Sequence, residues 1–236
     1  MGTLAVLEQP TVLLRFDASP EIGMGHAARC LALATALRER GARVAVLSHE
    51  LTGSLRYAFS ENACRIVDLL SRDDPSEVVA EIARTRSSAA PVTLVVDQYG
   101  LTSEWETAIR QAVSRLIVLE DRPFRQHDAD ILVDPGADDE RIARYAALVP
   151  KRTQIVAGRD YVLIHPRYAE LRSVVPLRGL RTRRVLVQLG SDRSDLVLRV
   201  LAALDEVASE ELHADVVVPS EHPHLAAAEA LCSPRG

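Results

Sequence analysis

The chain has 236 residues, 47% of them hydrophobic, and its 28 basic and 33 acidic side chains give a formal charge of −5. That is enough apolar material for one large domain or two small ones, and it excludes the basic footprint of a nucleic-acid binder. Cys30, Cys64 and Cys232 are odd in number and lack metal-ligand spacing, and no apolar run approaches the roughly 20 residues that span a bilayer. The N-terminus lacks a basic region followed by an apolar core and a small-residue cleavage site. A reduced, cytoplasmic protein is expected, neither exported nor in a membrane, with no metal or other cofactor. Its cations are almost all arginine, Lys151 being the one lysine, which reads as a coding bias.

The first predicted element is an apolar strand from Val12, running through a glycine turn at Gly23 and Gly25 into a helix with His26 at its mouth. Such a turn aims unsatisfied backbone N–H groups and the positive helix end at the crevice above the strand, a place for chemistry on an anionic or polar substrate. Cys30, Leu31, Ala34 and Leu37 follow at helical spacing and bury the far side. The helix terminus disfavours an imidazolium, so His26 is expected as a neutral ring able to accept a proton. The plainer reading makes it a helix-start residue bonded to a carbonyl; the strand and glycines around it favour the base.

Gly41 stops that helix and Arg43-Val-Ala-Val-Leu-Ser follows as a strand, completing βαβ. The alternation continues with a helix from Gly53 to Ser60, a strand at Arg65-Ile-Val, a helix from Pro75 to about Arg86 and a strand at Val92-Thr-Leu-Val-Val. A helix from Ser103 to Ser114 and strands at Leu116-Ile-Val-Leu and Ile131-Leu-Val come next. Near-continuously apolar strands separated by helices predict an α/β fold, a doubly wound parallel sheet covered on both faces. From about Asp134 to Arg183 the chain reads as irregular, punctuated by Pro135, Pro150, Pro166 and Pro176, with an exposed link from Arg178 and a domain boundary at about residue 180. Beyond it come a strand at Val185-Leu-Val-Gln-Leu, a turn at Gly190-Ser-Asp, a helix to about Ser209, a strand at Ala214-Asp-Val-Val-Val and a helix from about His222 to Leu231.

Ligands of open α/β sheets sit at the carboxyl ends of the strands, where Asp17, Asp97 and Asp121 each follow one. Asp97 reads more readily as a cap or loop hydrogen-bonder than as a catalyst. Tyr99 shares the rim of the His26 turn and either faces His26 or packs against its own loop. Trp105 reads as core.

Arg15-Phe-Asp-Ala-Ser, Ile22-Gly-Met-Gly-His-Ala-Ala-Arg-Cys-Leu, Val95-Val-Asp-Gln-Tyr-Gly-Leu and Leu119-Glu-Asp-Arg with His127-Asp-Ala-Asp-Ile-Leu-Val together resemble the UDP-sugar hydrolases of pseudaminic acid biosynthesis and their spore-coat-polysaccharide relatives. The resemblance implies a GT-B-like fold of two Rossmann-like domains, here 1–180 and an incomplete 181–236, and removal of UDP from 2,4-diacetamido-2,4,6-trideoxy-β-L-altropyranose by water attack at the anomeric carbon. It puts the catalytic base on His26 and the sugar-lining tyrosine on Tyr99. The matched blocks make Arg15, Asp17, Gly23, Gly25, Arg29 and Asp97 further substrate-binding candidates, and Gly190, Ser191 and Asp195 nucleotide-binding ones. A nucleoside diphosphate leaves readily, so a base and N–H donors suffice without a strong acid.

The resemblance weakens toward the end of the chain. Leu189-Gly-Ser-Asp stands where the family has a second glycine, Asp195 falls on its asparagine, and no Gly-Gly-Ser-Thr block follows, so the chain looks truncated beside that family. A carboxylate at Asp195 repels a diphosphate unless protonated or paired. Two strands and two helices cannot cover their own sheet, so the segment after Arg183 is expected to dock on the first domain or on a second copy as a homodimer. A GT-B glycosyltransferase and a non-catalytic sugar- or partner-binding domain are the competing readings.

Overall fold

The computed structural model describes residues 9–19, 22–86, 90–176, 179, 181–189, 194–207 and 212–232. The chain divides into two units, Met1–Ser19 with Gly25–Ser173, and Pro20–Met24 with Val174–Gly236.

In the first unit, β1 (Thr11–Arg15), β2 (Arg43–Ser48) and β4 (Val92–Val96) are buried almost throughout, which requires cover on both faces of the sheet. Successive side chains point to opposite faces, so Val12 and Leu14 of β1 join Ala34 of α1 (Gly25–Glu39) and Phe59 of α2 (Gly53–Glu61) in one core. Leu13 of β1 and Leu47 of β2 join Ile82 of α3 (Pro75–Thr85) with Trp105 and Ile109 of α4 (Ser103–Arg110) in the other. Trp105 is core, as its sequence position suggests.

With β3 (Arg65–Asp68), β5 (Arg115–Leu119), β6 (Ile131–Asp134) and β7 (Gln154–Ala157), the sheet has the order β3-β2-β1-β4-β5-β6-β7, and every pair is parallel. The doubly wound reading of this unit therefore stands, and the strand order reverses between β1 and β4, where such sheets bind ligands. Local chemistry agrees with the elements. The Asp74 carboxylate accepts from the Ser76 N–H at 2.8 Å ahead of α3, and Gly41, at φ +82°, adopts the left-handed turn that closes α1.

Four elements lie where the sequence reads as irregular: α5 (Asp139–Leu148), β7, a short 3-10 helix at Arg159–Tyr161 and α6 (Arg167–Val174). α6 buries nothing and leaves no apolar stripe to detect, whereas α5 carries a short one, Ile142, Tyr145 and Leu148, of which only Tyr145 is fully buried. α4 stops four residues before the expected Ser114, because Gln111 caps it and Ala112 turns back onto the Ile109 carbonyl at 2.8 Å. Residues 120–130 join two adjacent parallel strands without a helix, an uncommon crossover.

The second unit contains the parallel pair β8 (Arg184–Gln188) and β9 (His213–Val217) with α7 (Leu196–Glu206) and α8 (Leu225–Cys232). α8 begins three residues after the expected His222, since the Leu225 N–H bonds the His222 carbonyl in a turn. Among the described residues no helix is long and apolar enough to cross a membrane.

Candidate functional site

At the exit of β1, Arg15 and Asp17 are completely buried and hold each other, with Nη1 donating to Oδ1 at 2.8 Å. Arg15 also donates to the Arg72 carbonyl at 2.5 Å, and Asp17 accepts from the Ser48 hydroxyl at 3.1 Å and the His49 N–H at 2.8 Å. The Asp17 N–H donates to Gln98 Oε1 at 3.1 Å. Burial opposes the Asp17 charge, but Arg15 and the backbone donors outweigh it and lower its pKa. Arg15 and Asp17, both expected as substrate-binding residues, are enclosed, and their bonds fasten the ends of β1, β2, β3 and β4 together. An apolar strand that ends in a buried ion pair carries no mark of it in the sequence.

Gly23 stands at φ +98°, a region that favours glycine, while a side chain placed at Gly25 would meet only open space. The mouth of α1 is thus unobstructed at Gly25. His26 follows, mostly buried within the first turn. Its Nδ1 lies 2.6 Å from Oδ1 of Asp97, the residue that continues β4 and donates its own N–H to the Arg15 carbonyl at 2.9 Å. Arg29, one turn along α1, donates from Nε to Asp97 Oδ2 at 2.5 Å and from Nη2 to Oδ1. Arg29 Nη2 also approaches His26 Nδ1 at 3.1 Å. A guanidinium can only donate, so the shorter carboxylate contact assigns the proton: Nδ1–H faces Asp97, and the lone pair of a neutral ring is on Nε2.

Burial opposes the charge of Arg29, but Asp97 outweighs it, helped by Tyr99 and Asp121, and the guanidinium is held charged. The Cys30 thiol, 3.6 Å from Asp97 Oδ2, is pushed far up by burial and by that carboxylate and is inert. Asp97 is therefore the hub of the cluster, a place the sequence reading underestimated.

Tyr99 sets its ring edge-on to His26, with centroids 4.7 Å apart, so the first of its two readings holds. Its hydroxyl donates to the Asp121 carboxylate at 2.8 Å from either oxygen, and the Arg122 guanidinium lies 3.9 Å from the ring centroid. Burial, then the bond to Asp121, raises the Tyr99 pKa and keeps the phenol protonated. Asp121 also faces Arg29 at 3.4 Å. The sequence marked Asp121 only as a strand-end carboxylate and passed over Arg122. Arg29 and Asp121 border a cavity of about 310 Å3 whose apolar walls include Leu119, Val133, Val162 and Leu163.

Beneath Tyr99 and Asp121, Glu120 accepts from the N–H groups of Asp121 and Arg122 with one oxygen, both at 3.0 Å, and from Arg125 Nε at 2.7 Å with the other. Arg125 donates onward to the carbonyls of Gln98 and Leu101, tying the loop after β5 to the loop after β4. His127 is enclosed between Glu106 of α4, at 2.8 Å, and Glu120, at 3.3 Å. Burial opposes charge on both groups, yet His127 and Arg125 hold Glu120 down at about 2, and the two carboxylates raise His127.

Of the expected nucleotide-binding residues, Gly190 and Ser191 lie outside the described residues. Asp195 stands exposed at the N-cap of α7, its side chain making no capping bond. The positive end of that helix favours its carboxylate.

No family model matches the chain. It is 26% identical over 157 residues to the UDP-2,4-diacetamido-2,4,6-trideoxy-beta-L-altropyranose hydrolase of Campylobacter jejuni, covering 66% of this chain and 53% of that one. It is 25% identical over 212 residues to the spore coat polysaccharide biosynthesis protein SpsG of Bacillus subtilis, covering 88% of this chain and 59% of that one. The chain thus spans little more than half the length of these relatives. A solved glycosyltransferase from Rickettsia africae superposes with a TM-score of 0.56 at 14% identity, over 95% of this chain and 65% of that one. The fold is α/β, Rossmann-like and of the GT-B kind.

Proposed function

We propose that the chain acts on a nucleotide-activated sugar and releases the nucleotide by hydrolysis, the substrate being a UDP-linked diacetamido-trideoxy-hexose. The observation that carries the reading is the tethered imidazole. With Nδ1–H bound to Asp97, His26 offers a basic Nε2 on rigid structure at the strand-order switch point, bounded by Tyr99 and Arg29. Water attacks the anomeric carbon and gives its proton to Nε2, while the bond from that carbon to the diphosphate oxygen breaks and UDP departs with the electron pair. Asp97 stabilises the imidazolium that forms. The two curated relatives support the sugar-nucleotide class, and the hydrolase among them supports water as the attacking group.

The test is UDP release by this chain and by its His26→Ala variant, with a loss of roughly 10²- to 10⁴-fold expected for removal of a general base. An unchanged rate overturns the assignment. The same base could instead take a proton from an acceptor hydroxyl, a reading favoured by the fold shared with a glycosyltransferase. Phosphorus NMR separates the two: UDP appearing from the sugar nucleotide alone supports hydrolysis, and UDP appearing only after an acceptor is added means transfer.

A further inference from the structure

At the opposite end of the same sheet, where the strands begin, lies a cavity of about 500 Å3 lined by Arg38, Arg43, Arg65 and Arg84, with Glu81 the one carboxylate among the described lining residues. The arginines come from four elements: the last turns of α1 and α3, and the first residues of β2 and β3. Arginine in a last helical turn complements the helix dipole, which accounts for Arg38 and Arg84. It does not account for Arg43 and Arg65, since a strand start carries no such field.

Internal pairing leaves most of this charge unspent. Arg65 and Arg84 share Glu81, Arg38 donates to the Ala42 carbonyl at 2.9 Å, and the Arg43 guanidinium has no side-chain bond among the described residues. Four cations against one anion leave a formal +3 among the described residues that line the cavity. Like charges gathered in this way disfavour the folded state unless something compensates them.

We propose that this cavity binds an anion carrying two or more phosphate groups. Guanidinium forks match phosphate oxygens in bidentate geometry. One phosphate carries about −1.5 to −2, so three surplus positive charges match two phosphates better than one. The volume exceeds what a single phosphate fills, with room for an attached nucleoside or sugar. Because the strands run parallel, this end lies away from His26, and occupation leaves the candidate active site free. The inference does not depend on the proposed hydrolysis.

Calorimetric titration of the whole chain with inorganic diphosphate at low salt, with sulfate at equal ionic strength as control, tests the site. Hydrogen exchange with and without diphosphate locates it. Saturable diphosphate binding is expected, with amides protected in 42–45, 63–66 and 80–86, and with a loss of about tenfold or more per arginine in Arg43→Glu/Arg84→Glu. Should the charge reversals fail to fold, Arg43→Ala/Arg84→Ala replaces them. Tighter binding of ADP than of diphosphate makes the occupant a nucleotide, and equal binding makes it free diphosphate or another polyphosphate. Absent binding, binding no stronger than that of sulfate, protection elsewhere, or unaltered affinity in both variants overturns the proposal.

Discussion

A neutral imidazole holds one proton on one of two nitrogens, and the 2.6 Å contact between His26 Nδ1 and Asp97 decides which. An amide at that position keeps the shape but can present an N–H to Nδ1, moving the ring proton to Nε2 and removing the basic lone pair from the reacting side. Asp97→Asn is therefore expected to lower kcat for UDP release by about 10²-fold or more with little change in KM. A steady-state comparison checks it, and an equal fall in substrate affinity would mean that Asp97 binds substrate instead. Tyr99→Phe removes the hydroxyl that Asp121 accepts but keeps the ring edge against His26. It should cost activity less than Asp97→Asn does, as measured in the same assay. His26 at the mouth of its helix was legible from a glycine turn and the strand-end rule, which left its approach to Tyr99 as one of two readings. Asp97 was picked out as a strand-end carboxylate and a substrate-binding candidate, but its place as the hub was not legible, because several carboxylates end strands in this sequence and spacing alone cannot rank them.

The helix-free crossover from β5 to β6 depends on polar contacts where other connections in the sheet bury an apolar helix face. Glu120, Arg125 and His127 supply them from inside the loop, and Glu106 supplies one from α4. Their titration ties the loop to pH. Glu120 falls from an ordinary 4.5 to about 2 on folding, so its stabilisation is complete above about 4.5 and is lost as pH falls toward 2. His127 is raised above its ordinary 6.5, so its stabilisation is complete below about 6.5 and is lost as pH climbs through the folded value. These groups together predict greatest resistance to urea between about pH 4.5 and 6.5. Denaturation across pH measures this: Glu120→Gln should flatten the acid limb and His127→Gln the alkaline one. The strands on either side were readable from apolar runs. The loop was not, since a buried network of charged residues looks like exposed loop in sequence; α5 and β7 carry only short apolar patterns, Ile142, Tyr145 and Leu148 in one and Ile155-Val156-Ala157 in the other, and the prolines around them obscured both.

At the scale of the whole molecule, alternating strands and helices were enough to reveal a parallel, doubly wound sheet, while the order of its strands depended on contacts between residues far apart in the chain. The two units differ in how well they bury themselves. β1 is enclosed along its entire length and belongs to a sheet with helices on both faces. β8 and β9 have no residue in the buried class, Leu186 and Val217 are 67% and 51% exposed, and α7 and α8 each bury a single residue. Local opening is easiest where few apolar contacts must be broken. Hydrogen exchange should therefore run much faster at amides 185–187 and 214–217 than at 12–15 and 93–96, with the first unit retaining protection after the second has lost it. Protection of β8 and β9 equal to that of β1 would contradict this and would mean that another surface covers them. Sedimentation equilibrium would then identify a second copy by concentration-dependent mass, and Leu186→Glu, placing a charge on the exposed strand, should restore both the monomer mass and the fast exchange.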